Sequence, residues 1–111
     1  MAVNEHKTLP ADIRFQKLQG STIDSCTFSF GDEDHTLGNA LRHVLMQQAK
    51  TELCGYSVPH PTEPYMHVRL QTIQGSDATE VLKDGLNDLA KICDTLTDKF
   101  DKALNDFESS A

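Results

Sequence analysis

Basic residues are scarce in this chain. Ten Lys and Arg stand against seventeen Asp and Glu in 111 residues, a formal net charge of −7. Proteins that grip phosphates do so with clustered Lys and Arg. A surface of the opposite sign repels DNA, so direct nucleic-acid binding is not expected. Cysteine is sparse as well: Cys26, Cys54 and Cys93 are odd in number and widely spaced, and no C-x-x-C occurs. That reads as buried thiols in a reducing compartment, not as a disulfide framework or a zinc site. No apolar stretch is long enough to span a bilayer, the opening residues lack the apolar run of a signal peptide, and there is no N-x-[ST] acceptor. A nuclear or cytoplasmic protein without membrane contact is the expectation. The phosphate loop G-x-x-x-x-G-K-[ST], G-x-G-x-x-G and H-E-x-x-H are all missing, so no cofactor or catalytic centre is expected.

The length fits one small domain with a thin stability margin. Residues 1–20 show no sustained period and are read as a flexible N-terminal segment, with the folded domain over residues 21–111. Strict alternation over residues 23–30, with Cys26, Phe28 and Phe30 on one face, predicts a half-buried strand. A helix follows over residues 35–50. Leu37, Ala40, Leu41, Val44 and Leu45 share one of its faces, and Asp34 or Thr36 is placed to cap it. A second strand is predicted over residues 53–58. Three prolines in residues 59–64 then force a loop. A third strand covers residues 65–73, with Met66, Val68, Leu70 and Thr72 on one face. The last element is a long helix over residues 77–107, where Asp77 and Glu80 have capping-box spacing. The fold class is α+β in the order strand, helix, strand, strand, helix.

The terminal helix carries the most informative pattern. Leu82, Leu86, Leu89, Cys93, Leu96, Phe100, Ala103 and Phe107 are spaced alternately four and three apart. This is the seam of a coiled-coil or bundle contact. The opposite face is polar and includes Lys83, Asp88 and Asp94, and Asp98 and Lys102 are spaced to pair across one turn. A helix of about thirty residues spans about 45 Å, whereas a compact domain of this size has a radius of gyration of about 13 Å. The sheet can cover the first half, so the seam from Leu96 to Phe107 requires a second chain. The plainer alternative is a long core helix folded onto its own sheet.

At Glu33-Asp34-His35-Thr36-Leu37-Gly38-Asn39-Ala40-Leu41-Arg42 the sequence resembles the alpha-like dimerisation domain of RNA polymerases, including the matching segment of bacterial alpha. Further matches lie at Cys54-Gly55-Tyr56-Ser57-Val58-Pro59-His60-Pro61, at Arg69-Leu70-Gln71-Thr72 and at Gly85-Leu86-Asn87-Asp88-Leu89, in the family's order. The resemblance covers about residues 24–107. Within the family, which unites archaeal subunit L with the smaller eukaryotic alpha-like subunits, these motifs look most like the subunit shared by polymerases I and III. The polymerase II counterpart is the alternative.

The resemblance implies a nuclear, non-catalytic scaffold in nucleolus and nucleoplasm. It implies a heterodimer with the larger alpha-like subunit that carries the two largest subunits into the enzyme. Resemblance and seam together assign the partner interface to Thr36, Leu37, Gly38, Asn39, Leu41, Arg42, Leu86, Leu89, Cys93, Leu96, Phe100, Ala103 and Phe107. Bacterial alpha commonly has a second arginine where this chain has His43, which puts a contact through that position in doubt.

Individual residues carry further expectations. Gly38 and Gly85 read as points of close approach, Arg42 as a guanidinium available for a bidentate pair, and His35 as a partner of the preceding loop. His60, between two prolines, reads as a stiff loop tip, and Tyr56 and Tyr65 as sheet-face packing. The rivals are a thiol hydrolase using Cys54 or Cys93 with His35, His43 or His60, a metal-binding module, and a homodimeric helical adaptor.

Overall fold

The computed structural model describes residues 9–110. The element order is α1 (Ala11–Arg14), β1 (Phe15–Lys17), β2 (Ser25–Gly31), α2 (His35–Met46), β3 (Thr51–Ser57), β4 (Tyr65–Thr72) and α3 (Ala78–Ser110). The sheet runs β1-β2-β4-β3 and every neighbouring pair is antiparallel. Strands β2 and β3 are therefore parallel to each other, joined by the α2 crossover, with β4 inserted between them.

The register explains which side chains make the core. Cys26 pairs with Leu70 and Leu70 with Cys54. Phe28 pairs with Val68 and Val68 with Tyr56, and Phe30 with Met66. Alternation then points all of these to one face, and α2 and the start of α3 cover it through Leu41, Leu45, Ala78, Val81 and Leu82. The opposite face, with Thr27, Ser57, His67, Arg69 and Gln71, faces solvent.

Helix α2 begins where a side chain replaces the missing intrahelical acceptor: Asp34 Oδ1 accepts from the Thr36 N–H at 2.9 Å. On α3 the Asp77 carboxylate takes the Thr79 N–H at 2.9 Å. Glu80 does not close the expected reciprocal box, since it lies 3.6 Å from Lys83 on the exposed surface. Ala40, expected on the buried face of α2, is exposed. The sheet contacts a narrower stripe than the five-residue pattern implied.

The N-terminal end extends the expected order by one turn and one strand. Phe15, Gln16 and Lys17 pair with Phe30, Ser29 and Phe28. Phe15 stacks on Phe28 at 5.8 Å and meets Phe30 edge-on at 5.2 Å. Asp32 clasps the chain just before this strand: its carboxylate accepts the Leu9 N–H at 3.2 Å and lies 3.9 Å from the Arg14 guanidinium. The remainder of the expected flexible segment, residues 1–8, lies outside the described residues.

Candidate functional site: the uncovered face of the terminal helix

Coverage of α3 ends early. Ala78, Val81, Leu82 and Gly85 are buried, and Leu86, Asp88 and Leu89 are half-buried. Every position in residues 90–110 is exposed. That stretch is about 30 Å of helix with no buried residue. The radius of gyration, 17.0 Å, exceeds the value of about 13 Å for a compact chain of this size, and the long axis reaches 58 Å. The overhanging helix accounts for that elongation.

The exposed stretch is apolar along one side. Leu96 is 63% exposed, Phe100 64% and Phe107 71%. Burying a side chain of this kind contributes roughly 1.5–3 kcal/mol, so the uncovered row forgoes a large stabilisation. Two residues outside the heptad seam widen it, because Ile92 and Leu104 are exposed on the same helix. Ile92 precedes Leu96 by four positions and Leu104 follows Phe100 by four, a spacing that puts them on one face. A search for seam positions alone passes over them. Lys91 and Lys99 flank a shallow groove beside Ile92 and Leu96.

The expected interface residues fall into three groups. Cys93, Leu96, Phe100, Ala103 and Phe107 are exposed on the overhang, while Leu86 and Leu89 are half-buried where α3 leaves the sheet. On α2, Thr36, Asn39 and Arg42 are exposed, but Leu41 is fully buried, Gly38 is buried, and Leu37 packs against the core. Leu41 and Gly38 therefore serve the chain's own core. A Cβ on Gly38 would lie 2.5 Å from the Tyr56 ring and 2.7 Å from Met66 Sδ. One on Gly85 would lie 2.5 Å from a Leu45 methyl. Both glycines mark close approach, to the sheet and to α2 respectively.

Several polar expectations resolve differently. Among the described residues, the Arg42 guanidinium bonds Asn39 Oδ1, at 3.4 Å. His35 bonds the Tyr56 hydroxyl at 3.0 Å instead of the preceding loop. Asp98 and Lys102 form no ion pair, those among the described residues being Arg14–Asp32 and Glu80–Lys83. Tyr56 packs against the core as expected, and His60 sits exposed in its loop.

Two of the three thiols are buried. Burial pushes the Cys54 thiol from 9.0 up to about 11, against a smaller opposing effect of the Arg42 charge. A thiol held protonated at neutral pH is a poor nucleophile. Cys26 is buried and Cys93 lies exposed on α3. Among the described residues no group of three His, Cys, Asp or Glu is placed to hold a metal. No described helix is long and apolar enough to cross a membrane.

Comparison with known proteins places this geometry. The RNA polymerase Rpb3/Rpb11 dimerisation domain matches residues 25–99. The chain is 48% identical to the Schizosaccharomyces pombe protein named DNA-directed RNA polymerases I and III subunit RPAC2, over 78% of this chain and 71% of that one. It is 47% identical to the Saccharomyces cerevisiae protein of the same name, over 68% and 54%. The Danio rerio protein of that name is 38% identical over 83% and 82%. The fold is similar to the crystal structure of DNA-directed RNA polymerase subunit L from Thermoplasma acidophilum, with a TM-score of 0.73 at 18% identity, covering 87% of this chain and 94% of that one. The chain belongs to the RNA polymerase Rpb3/Rpb11 dimerisation-domain family.

Proposed function

We propose that this chain is the smaller alpha-like subunit shared by RNA polymerases I and III, a non-catalytic scaffold that works as half of a heterodimer. Its partner is the larger alpha-like subunit. The pair forms the platform on which the two largest subunits assemble, in the nucleus. The observation that carries this reading is the uncovered apolar face of α3 over residues 90–110, in a chain whose relatives are named as subunits of those two enzymes.

The interface residues follow from exposure. Ile92, Cys93, Leu96, Phe100, Ala103, Leu104 and Phe107 on α3 form the apolar contact, Leu86 and Leu89 its inner edge, and Thr36, Asn39 and Arg42 polar contacts from α2. A face three residues wide suits a helix bundle better than a two-stranded coil, whose seam is confined to two positions per heptad. The raised thiol pKa of Cys54 weighs against a hydrolase that uses that cysteine as its nucleophile.

Stoichiometric co-purification tests the assignment. A tagged chain in its native cells should bring down the larger alpha-like subunit together with the largest subunits of both polymerases I and III. Recovery of polymerase II subunits instead would reassign the chain. Recovery of only a second copy of itself would replace the scaffold by a homodimeric adaptor.

A further inference from the structure

The face of the sheet opposite the helices holds a notch that the α3 contact leaves unused. Gly55 lies in mid-strand on β3, directly across from Arg69 of β4, which in turn faces Thr27 of β2. A glycine inside a strand gives up packing, and it marks places where another group approaches the backbone closely. A Cβ at Gly55 would meet nothing within 4 Å, so no neighbour in the chain requires the glycine. The resulting groove, about 360 Å³, is lined by Thr27, Gly55, Tyr56, Ser57, His67 and Arg69.

Arg69 is held to one side of it. Its Nη2 donates to Ser25 Oγ at 2.6 Å and its Nη1 to Thr27 Oγ1 at 3.2 Å. Both acceptors are neutral hydroxyls, and among the described residues no carboxylate lies within 4.0 Å of the guanidinium. Glu52 on this face accepts a hydrogen bond from Gln71 Nε2 at 3.3 Å. In a chain of net charge −7 this is a cation fixed in place beside an empty floor, without a counter-charge. Guanidinium has five N–H donors in a planar fork suited to carboxylate, and two hydroxyls do not exhaust them.

We propose that this notch receives the carboxylate of an Asp or Glu side chain from a second protein subunit, docked on the open sheet face while α3 engages its own partner on the other side. Two observations favour a protein carboxylate over a nucleic-acid phosphate. The field of the whole chain is acidic, whereas phosphate tracking requires several cations in a row. Leu53 also lies two residues from Gly55 on the same strand face and is 55% exposed. That places an apolar spot about 7 Å from the guanidinium floor. An acidic residue with an apolar neighbour two positions away fits both.

The test is an NMR titration of the isotope-labelled full chain at fixed ionic strength. The probes are a blocked Leu-Ser-Glu peptide, its Leu-Ser-Gln counterpart, and inorganic phosphate. The Glu peptide should move the Gly55 amide and the Arg69 Nε–H signals and bind at least fivefold more tightly than the Gln peptide. Arg69→Gln and Gly55→Leu should each weaken it at least fivefold, with Arg69→Lys between. The open space at Gly55 lets the Gly55→Leu chain keep its folded spectrum. Equal response to Glu and Gln peptides, tighter binding of phosphate at the same signals, or no movement of those signals would each overturn the proposal.

Discussion

At the scale of single residues, the two glycines of close approach separate by what they touch. On α2, an added methyl at Gly38 meets an aromatic ring and a sulfur on the sheet, and neither can rotate away without disturbing the core. Gly38→Ala should lower stability by about 1–3 kcal/mol as an overpacked site. At Gly85 the added methyl meets the side chain of Leu45, which is itself fully buried, and up to about 1 kcal/mol of helix propensity gained by alanine offsets part of the overpacking. Gly85→Ala should therefore lower stability by less than Gly38→Ala does, about 0–2 kcal/mol in thermal unfolding. Cys54 supplies a pH signature. Its folded pKa, about 11, lies above the ordinary 9.0, so above pH 9 the unfolded chain loses the thiol proton first. Stability is fully present below that value and declines as pH rises through 11. Melting curves from pH 8 to 11 should show this decline, and Cys54→Ala should flatten it. These residues differ in how far the sequence announced them. A glycine inside a helix pattern signals close approach by its propensity cost alone. The notch at Gly55 needed the cross-strand register, which brings Gly55 and Arg69 together from positions fourteen apart in the chain.

At the scale of elements, strands β2 and β4 were legible because one face is buried and the other wet, which imposes a period of two. Strand β1 was not. It has three residues, all exposed, and owes its place to Phe15 against Phe28 and Phe30 and to the Asp32 clasp. These are long-range contacts that leave no local pattern. The seam on α3 was readable from its heptads, but its width was not, since Ile92 and Leu104 occupy flanking positions. Leu41 is the converse case. An apolar residue beside a recognisable motif reads as an interface position, and in this chain the core covers it completely. The exposed half of α3 leads to a local-stability prediction. Helical stability comes chiefly from tertiary packing, and no residue in 90–110 is buried. In the isolated chain their amides should exchange far faster than those of β2, β4 and residues 78–86. Adding the larger alpha-like subunit should slow exchange selectively in residues 90–110.

At the scale of the whole molecule, one sheet carries helices on one face and leaves the other uncovered. Helices α2 and α3 cover one side, and α3 alone runs past it. The overhang is what distinguishes a subunit from a self-contained domain, because it leaves Leu96, Phe100 and Phe107 more than 60% exposed. The central claim is that a different chain buries this row. Sedimentation of the full chain mixed with the larger alpha-like subunit tests it most directly, comparing the parent with the Leu96→Asp, Phe100→Asp double variant. Both side chains are exposed, so the double variant should keep the parent's folded sheet, while two carboxylates buried without partners should abolish pairing. The account predicts a 1:1 complex for the parent and separate species for the variant. A complex that persists undiminished with both charges in place would contradict it.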